Sequence, residues 1–223
     1  MSGVLVVVAA GPGLGRAVAR RFAREGFAVG LLGRSPDTLD RLAEELRGLG
    51  ARVATVSADV GDEGALRTGL RSLRTELGDP TVLVFNGSAY VEGRPSELAA
   101  ADLRRAVDVG VIGALVAAQE VLPGMRAAGR GTVILTGSVA ADRASVSAPA
   151  VGVAKAGLRS LARSLAKEVA ADGVRVTTVT IDGVLSGPVA LDVDQIGERY
   201  WALHAAATPP GAVEVFPAAP ASA

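Results

Sequence analysis

The chain has 223 residues, of which 49% are hydrophobic and 21% charged, and its 23 basic side chains balance 23 acidic ones. This composition is typical of a folded globular domain and excludes a disordered chain. The chain has no cysteine and only one histidine, which excludes disulfides, thiolate metal sites and multi-histidine metal sites. Zero net charge without a basic stripe argues against nucleic acid as a partner. No signal-like N-terminus and no apolar run of membrane-spanning length are found, so we expect a soluble, cytoplasmic protein without a membrane partner.

A nucleotide-binding turn is predicted at the N-terminus. The unbroken apolar run from Val4 to Ala10 indicates a strand buried on both faces, as in a parallel sheet. Gly11, Gly13 and Gly15 follow it, and the segment from Leu14 has helical spacing of apolar and arginine residues. A strand, a glycine turn and a helix N-terminus form a cradle for a pyrophosphate. We therefore assign Gly11, Gly13, Leu14 and Gly15 to cofactor binding, against the alternative of a tight loop without a ligand.

The second strand predicts which dinucleotide is preferred. The apolar run from Phe27 to Leu32 ends at Gly33, Arg34 and Ser35. In a dinucleotide-binding domain an acidic residue at this position binds the ribose 2′-hydroxyl of NAD, whereas an arginine suits the 2′-phosphate of NADP. Arg34 therefore favours NADP(H) over NAD(H), and the alternative is a solvated arginine on a loop.

Strands and helices continue to alternate along the chain. Further strands are predicted at 52–57, 81–85, 132–136, 174–181 and 213–216, the last at a sheet edge. Helices are predicted after Ser35, Asp62 and Ser96, each acting as a cap, and over 109–122, 150–171 and 193–204. This order implies a single Rossmann-type α/β domain, a doubly wound parallel sheet of about seven strands with helices on both faces. We predict that the domain spans residues 1–217 and that 218–223 form a flexible tail.

The glycine turn also carries a family resemblance. Read from Val8 to Gly15, VAAGPGLG resembles the T-G-x-x-x-G-x-G motif of the short-chain dehydrogenase/reductase superfamily, with Val8 and Ala9 replacing Thr and the first Gly. It is nearest to divergent members with a G-A-G-P-G-L-G turn. The resemblance extends to about residue 185. It implies a Rossmann fold and NAD(P)-dependent redox chemistry on small carbonyls or alcohols.

Two further segments resemble cofactor-lining motifs of that family. Asp59 and Val60 match an Asp-Val pair that contacts adenine, although Asp59 could equally cap a turn. Asn86 and Gly87 match part of the N-N-A-G turn that lines the cofactor site, although an Asn-Gly pair also forms ordinary tight turns. The resemblance thus implies cofactor-binding roles for all four residues.

The resemblance fits the family's catalytic residues only in part. The family uses an Asn, a Ser, a Tyr and a Lys, with Tyr and Lys spaced as Y-x-x-x-K. Ser138 and Lys155 match, and Lys155 would also hold the nicotinamide ribose. Val151 stands where Tyr is expected, and Gly110 stands where Asn is expected. Valine cannot transfer a proton, a loss of about 10²–10⁴-fold from that step.

Three explanations for the missing tyrosine remain open. A different acid could act instead, with Tyr90 the first candidate and Tyr200, His204 and Asp142 the others. The scaffold could instead support a non-redox isomerase, cyclase or lyase, or the chain could be a non-catalytic NADP-binding partner protein. The first explanation gives an oxidoreductase acting on a small apolar carbonyl or alcohol, because the loop over 139–149 is rich in small and apolar residues. The family resemblance also implies a homodimer or homotetramer through the helices over 109–122 and 150–171.

Overall fold

The computed structural model describes residues 3–185 and 191–206, and the backbone of 213–216. Its strands are β1 to β7 in chain order: Val4–Val8, Ala28–Gly33, Val53–Ser57, Val82–Phe85, Gly131–Ser138, Val174–Ile181 and Val213–Phe216. Its α-helices are α1 to α7: Leu14–Arg24, Pro36–Gly48, Glu63–Leu77, Ala100–Val107, Gly113–Ala127, Pro149–Val169 and Val193–Ala205. The predicted tail over 218–223 lies outside the described residues, so the proposed domain boundary remains a prediction.

The seven strands form one parallel sheet in the order β3-β2-β1-β4-β5-β6-β7. The order reverses between β1 and β4, so the chain leaves the sheet in opposite directions on the two sides of this pair. Ligands of open α/β sheets bind outside the carboxyl ends of the strands at such a reversal. The predicted fold is thereby confirmed, including the edge position of β7.

Two apolar layers hold the helices against the sheet. One layer packs α3, α5 and α6 on one face, and the other packs α1, α2 and α7 on the opposite face. The central strands are apolar on both faces, and every residue from Leu5 to Val8 is at most 1% exposed. This two-sided burial explains why their sequences lack alternation.

The helix caps are predicted correctly in two of three places. Ser35 accepts a hydrogen bond from the Thr38 N–H, and Asp62 accepts one from the Ala65 N–H. Ser96 is not a cap, because α4 begins later, at Ala100, with Ala99 in the capping position. The two helices predicted on either side of residue 108 also form one continuous helical segment. A π-helical turn, Asp108–Ile112, joins α4 to α5.

The expectation that no apolar run reaches membrane-spanning length was wrong for this continuous segment. Over Ala100–Ala127 it is long and apolar enough to cross a membrane by length and composition, with a mean hydropathy of 1.5 in its most apolar window. However, 56% of that window is buried inside the fold. Its apolar residues pack against α3, α6 and the sheet, as expected for a core helix.

Candidate functional site

A cavity of about 530 Å³ lies at the carboxyl ends of β1 to β4, where the strand order reverses. Most of its walls come from the loops that follow these strands, and α4 and the π-helical turn close one side. The lining at the strand ends includes Ala9, Gly11, Arg34, Asp59, Val60, Asn86 and Tyr90. On the helical side it includes Arg105 and Val109. Five of the predicted cofactor residues, from four separate loops, therefore meet in one space together with Tyr90.

The glycine turn leaves open space beside its backbone. A Cβ built on Gly11 or Gly13 would meet no atom within 4 Å, so the main chain there is accessible to a ligand. Gly13 precedes α1 without a side-chain cap, and the first turn of α1 has no acidic residue. The Arg16 N–H donates to the Gly11 carbonyl, and the preceding N–H groups and the positive dipole end of α1 are available to an anion, which fits a pyrophosphate.

Gly15 and Leu14 serve the packing of α1 rather than the cavity wall. A Cβ on Gly15 would lie 3.2 Å from the Ala10 Cα, so glycine permits α1 to pack close to the end of β1. The Leu14 side chain is 3% exposed and belongs to the core. Any contact that Leu14 makes with a ligand is therefore through its backbone.

Ala9 has a backbone conformation that favours glycine. Its φ is +60°, and among the described non-glycine residues it alone has a positive φ. The position corresponds to the first Gly of the family turn, so the sequence carried a signal for it. A non-glycine residue in this region is strained by about 1 kcal/mol, and here the strained residue lines the cavity.

Asp59 is held by two donors. Its Oδ1 accepts a hydrogen bond of 2.8 Å from the Gly61 N–H, and its Oδ2 lies 2.6 Å from Arg105 Nη2. Burial would raise the pKa of this carboxyl, but the hydrogen bonds from Gly61 and Arg105 and the charges of Arg105 and Arg34 lower it below its usual value. Asp59 is thus both a turn-capping residue and a cavity residue. No sequence motif indicates Arg105, which lies 46 residues from Asp59 along the chain.

Lys155, on α6, is buried with 5% of its surface exposed and does not itself line the cavity. Its Nζ donates hydrogen bonds to the carbonyl oxygens of Thr136, at 2.7 Å, and Gly87, at 3.2 Å. Burial lowers its pKa from 10.5 to about 8. Asn86 lines the cavity and Gly87 bonds to Lys155, so one short turn connects the cavity to the lysine.

Ser138 ends β5, two residues beyond the carbonyl that Lys155 contacts. Its Oγ accepts a hydrogen bond of 3.2 Å from the Ala140 N–H, which begins a 3₁₀ turn. Val151 lies one helical turn before Lys155 on α6 and is half-buried. Gly110, at the position of the family Asn, would place a Cβ 3.0 Å from the Ala154 Cβ, so a larger residue there requires α6 to move.

The structure separates the candidate substitutes for tyrosine. Tyr90 is 68% exposed and lines the cavity. Tyr200 packs in the layer on the α1 side of the sheet, fully buried, with its hydroxyl 2.8 Å from Thr136 Oγ1. Burial raises the Tyr200 pKa, opposed by the Thr136 hydrogen bond, so Tyr200 is unsuited to proton transfer.

The other two candidates are also unsuited to this role. His204 lies near the start of β5, with its Nδ1 3.0 Å from Thr132 Oγ1, beside a smaller cavity of about 330 Å³ at the amino ends of the strands. Burial and the charge of Arg175 lower the His204 pKa. Asp142 forms an ion pair of 2.6 Å with Arg159, which lowers its pKa. Only Tyr90 among the four candidates borders the cavity.

Comparison with known proteins identifies the family. The family model described as short chain dehydrogenase matches residues 3–193. A subunit of (2S)-[(R)-hydroxy(phenyl)methyl]succinyl-CoA dehydrogenase from Thauera aromatica is 37% identical, over 81% of this chain and 72% of its own. The cis-4-hydroxycyclohexanecarboxylate dehydrogenase of Sinomonas cyclohexanicum is 34% identical, over 79% and 71%.

Solved structures show the same fold. L-Sorbose reductase from Gluconobacter frateurii, solved with NADPH and L-sorbose, superposes with a TM-score of 0.92 at 24% identity, covering 97% of this chain and 95% of its own. A short-chain dehydrogenase/reductase from Serratia marcescens gives 0.90 at 25% identity, covering 97% and 96%. The chain therefore belongs to the short-chain dehydrogenase/reductase superfamily, a family of oxidoreductases.

The strain at Ala9 predicts that Ala9→Gly raises thermal stability. Glycine adopts a positive φ without the Cβ penalty, and the net gain after the entropy of the unfolded chain is about 0.5 kcal/mol. Ala10→Gly is the matched control, because Ala10 has no positive φ and is 9% exposed, so its replacement should destabilise the protein. Calorimetric unfolding measures both. A lower melting temperature for Ala9→Gly would contradict this interpretation.

The depressed pKa of Lys155 predicts a pH dependence of stability. Between pH 8 and 10.5 the unfolded chain binds a proton at this lysine that the folded protein has largely released. The free energy of unfolding should therefore rise with pH in this window, by at most about 3 kcal/mol. Below pH 8 both states are protonated, so the contribution no longer changes.

Denaturant unfolding of the wild type and of Lys155→Met across pH 7–10 tests this dependence. The variant removes the titration of Lys155 and keeps the other titrating groups. Only the wild type should therefore gain stability from this titration above pH 8. Parallel curves for the two proteins over the whole range would show that Lys155 titrates normally in the folded state.

Proposed function

We propose that this chain binds NADP(H) in the cavity at the β1–β4 strand ends and uses it to reduce or oxidise a small, apolar carbonyl or alcohol. The observation that carries the proposal is the meeting of the glycine turn, Arg34, Asp59 and Asn86 in one space. This space is joined through the Asn86–Gly87 turn to the buried Lys155. L-Sorbose reductase, solved with NADPH, has the same fold.

The lining residues fit the parts of a dinucleotide. The backbone from Gly11 to Gly15 would hold the pyrophosphate, as the open space beside Gly11 and Gly13 allows. Arg34 would hold the 2′-phosphate, and Asp59 with Val60 would border the adenine. Lys155 would hold the nicotinamide ribose. When bound, the dinucleotide supplies or accepts a hydride.

Proton movement is assigned to the residues beside the cavity. Tyr90 is the candidate for transferring the proton, because it alone of the two tyrosines borders the cavity. Ser138 would orient the substrate oxygen from the end of β5. Lys155 carries the positive charge that favours an ionised oxygen near it.

Apolar side chains around the site support an apolar substrate. Four of the exposed large hydrophobic residues lie on loops after β4, β5 and β6: Tyr90, Val146, Val184 and Leu185. The Gly93 N–H donates to the Ser147 carbonyl, so the first two of these loops are tied together. Two relatives are named for alcohols that carry a phenyl or a cyclohexane ring. These observations favour a substrate with an apolar body.

A second candidate function is a non-catalytic NADP-binding partner subunit. It is favoured by Val151, which leaves no proton donor one turn before Lys155. It is also favoured by the Thauera relative, which is named as one subunit of a dehydrogenase. In this case the dinucleotide cavity would be kept for binding or assembly alone.

The proposal includes self-association and a cytoplasmic location. Two further exposed hydrophobic residues, Ile112 and Val153, lie at the start of α5 and on α6, the helices expected to pair between subunits. A homodimer or homotetramer would cover these side chains. The described fold fits a soluble protein.

The assignment of Arg34 predicts that Arg34→Ala weakens binding of NADPH more than that of NADH. Loss of a guanidinium that binds a phosphate should reduce NADPH affinity by roughly 10- to 100-fold, whereas NADH lacks the 2′-phosphate. Arg41→Ala on α2 is the control, since Arg41 does not line the cavity. Fluorescence titration of both cofactors measures the ratio, and equal weakening of both would contradict the role of Arg34.

The two candidate functions are separated by Val151→Tyr. If only the proton donor is missing, this variant should gain NADPH-dependent reduction of apolar aldehydes and ketones, by up to about 10²-fold. Val153→Tyr, two residues further on α6 and exposed, places the same side chain away from the site as a control. Equal activity of both Val→Tyr variants would contradict the assignment of position 151.

If the wild type is already active, replacing the tyrosine at the cavity by Tyr90→Phe should abolish most turnover.

A further inference from the structure

Arg105 is a cavity residue that neither the glycine turn nor the family motifs indicate. It lies near the end of α4 and reaches Asp59, which follows β3, with its Nη2 2.6 Å from Oδ2 and 2.8 Å from Oδ1. Arg105 and Asp59 both line the cavity, together with Arg34. The ion pair therefore crosses from the helical wall to the strand-end wall of the proposed dinucleotide site.

The position of the guanidinium depends on Gly61. A Cβ on Gly61 would lie 2.9 Å from Arg105 Cζ and would overlap Nη1, so the guanidinium packs against bare backbone. The Gly61 N–H donates a hydrogen bond of 2.8 Å to Asp59 Oδ1, which also accepts one from Arg105. The Asp59 carboxylate is thus fixed from two sides, and the arginine is held where only glycine leaves room for it.

The charge balance of the cavity depends on this pair. The charged residues in the lining are Arg34, Arg105 and Asp59, which together leave one positive charge. Asp59 is close enough to Arg34 for the two charges to interact. Without Arg105 the lining would carry no net charge, and a phosphate at Arg34 would lie beside an Asp59 carboxylate that no second arginine neutralises.

We propose that Arg105 is a positioning residue that sets the preference for a 2′-phosphorylated dinucleotide, by holding Asp59 and neutralising its charge beside Arg34. This inference rests on the proposed function, because it assumes that the adenosine half of NADP(H) occupies the cavity. It assigns selectivity to two arginines on different elements: Arg34 contacts the phosphate, and Arg105 acts through Asp59.

The test uses two probes that differ only in the 2′-phosphate, adenosine 2′,5′-bisphosphate and 5′-AMP, titrated calorimetrically into the full-length protein. The wild type should prefer the bisphosphate. Arg105→Met should reduce that preference by about fivefold, the size expected for one unit charge across a partly solvated cleft. Arg104→Met is the matched control, since Arg104 is the exposed neighbour on α4 and does not line the cavity.

Rescue distinguishes a charge effect from a structural one. The double variant Asp59→Asn/Arg105→Met removes both charges and should restore most of the preference for the bisphosphate. If the role of Arg105 were purely structural, Arg105→Met would instead weaken the binding of both probes equally. The double variant would then not recover the preference for the bisphosphate. Thermal unfolding of each variant identifies any that fail to fold. Gly61→Ala, which displaces the guanidinium without removing its charge, provides a second variant and should shift the preference in the same direction.

The outcomes separate this inference from the proposed function. A wild type that prefers the bisphosphate, with Arg105→Met changing both affinities by one common factor, would overturn the role of Arg105 and leave the NADP(H) site intact. A folded wild type that binds neither probe would overturn the NADP(H) site and the inference together.

Discussion

The site depends on a cation buried among backbone carbonyls. Lys155 on α6 donates to Thr136 in β5 and to Gly87 in the turn after β4, and so joins three elements at one atom. Burying a charge is unfavourable unless polar groups replace its hydration, and here two carbonyl dipoles do so. The lysine holds the Asn86–Gly87 turn against β5, and that turn also forms part of the cavity wall. The cavity and the reacting end of the site are therefore one connected structure.

The two ends of the site have diverged to different degrees. At the cofactor end, the glycine turn, the uncapped N-terminus of α1 and the charged residues Arg34 and Asp59 all border or face open space. At the reacting end, Ser138 and Lys155 match the family motif, whereas Val151 and Gly110 stand where that motif leads us to expect tyrosine and asparagine. Gly110 also lets α6 pack close to the π-helical turn, because a Cβ there would lie 3.0 Å from the Ala154 Cβ. A chain of this kind can keep dinucleotide binding while its chemistry changes or is lost.

Sequence patterns predicted the sheet well because its strands are buried on both faces. Unbroken apolar runs such as Val4–Val8 and Val82–Phe85 leave few alternatives to a parallel sheet, and glycine and capping residues separate them. The cap at Ser96 was wrong because capping depends on local backbone geometry, and a serine before an apolar stretch does not determine it. The π-helical turn was missed because the sequence around Gly110 reads equally well as a break between two helices.

Features of the site that depend on distant contacts could not be predicted. Tyr90 and Tyr200 look like equivalent candidates in the sequence, yet one borders the cavity and the other is buried beyond the sheet against Thr136. The pairing of Arg105 with Asp59 joins residues 46 positions apart and has no local signal. By contrast, the family motif has a glycine at the position of Ala9, which is consistent with the positive φ there. Sequence motifs predicted five of the residues that line the cavity, whereas the contribution of Arg105 and the contacts between these residues are visible only in the fold.

The central claim is that the cavity is a working NADP(H) site, and calorimetric titration of the wild type with NADPH, and separately with NADH, tests it most directly. We expect one site per chain and a markedly lower dissociation constant for NADPH than for NADH. A protein that is folded by thermal unfolding, yet gives no binding heat with either dinucleotide at millimolar concentration at two temperatures, would contradict the account. The function would then have to be sought in non-redox chemistry or in a protein partner.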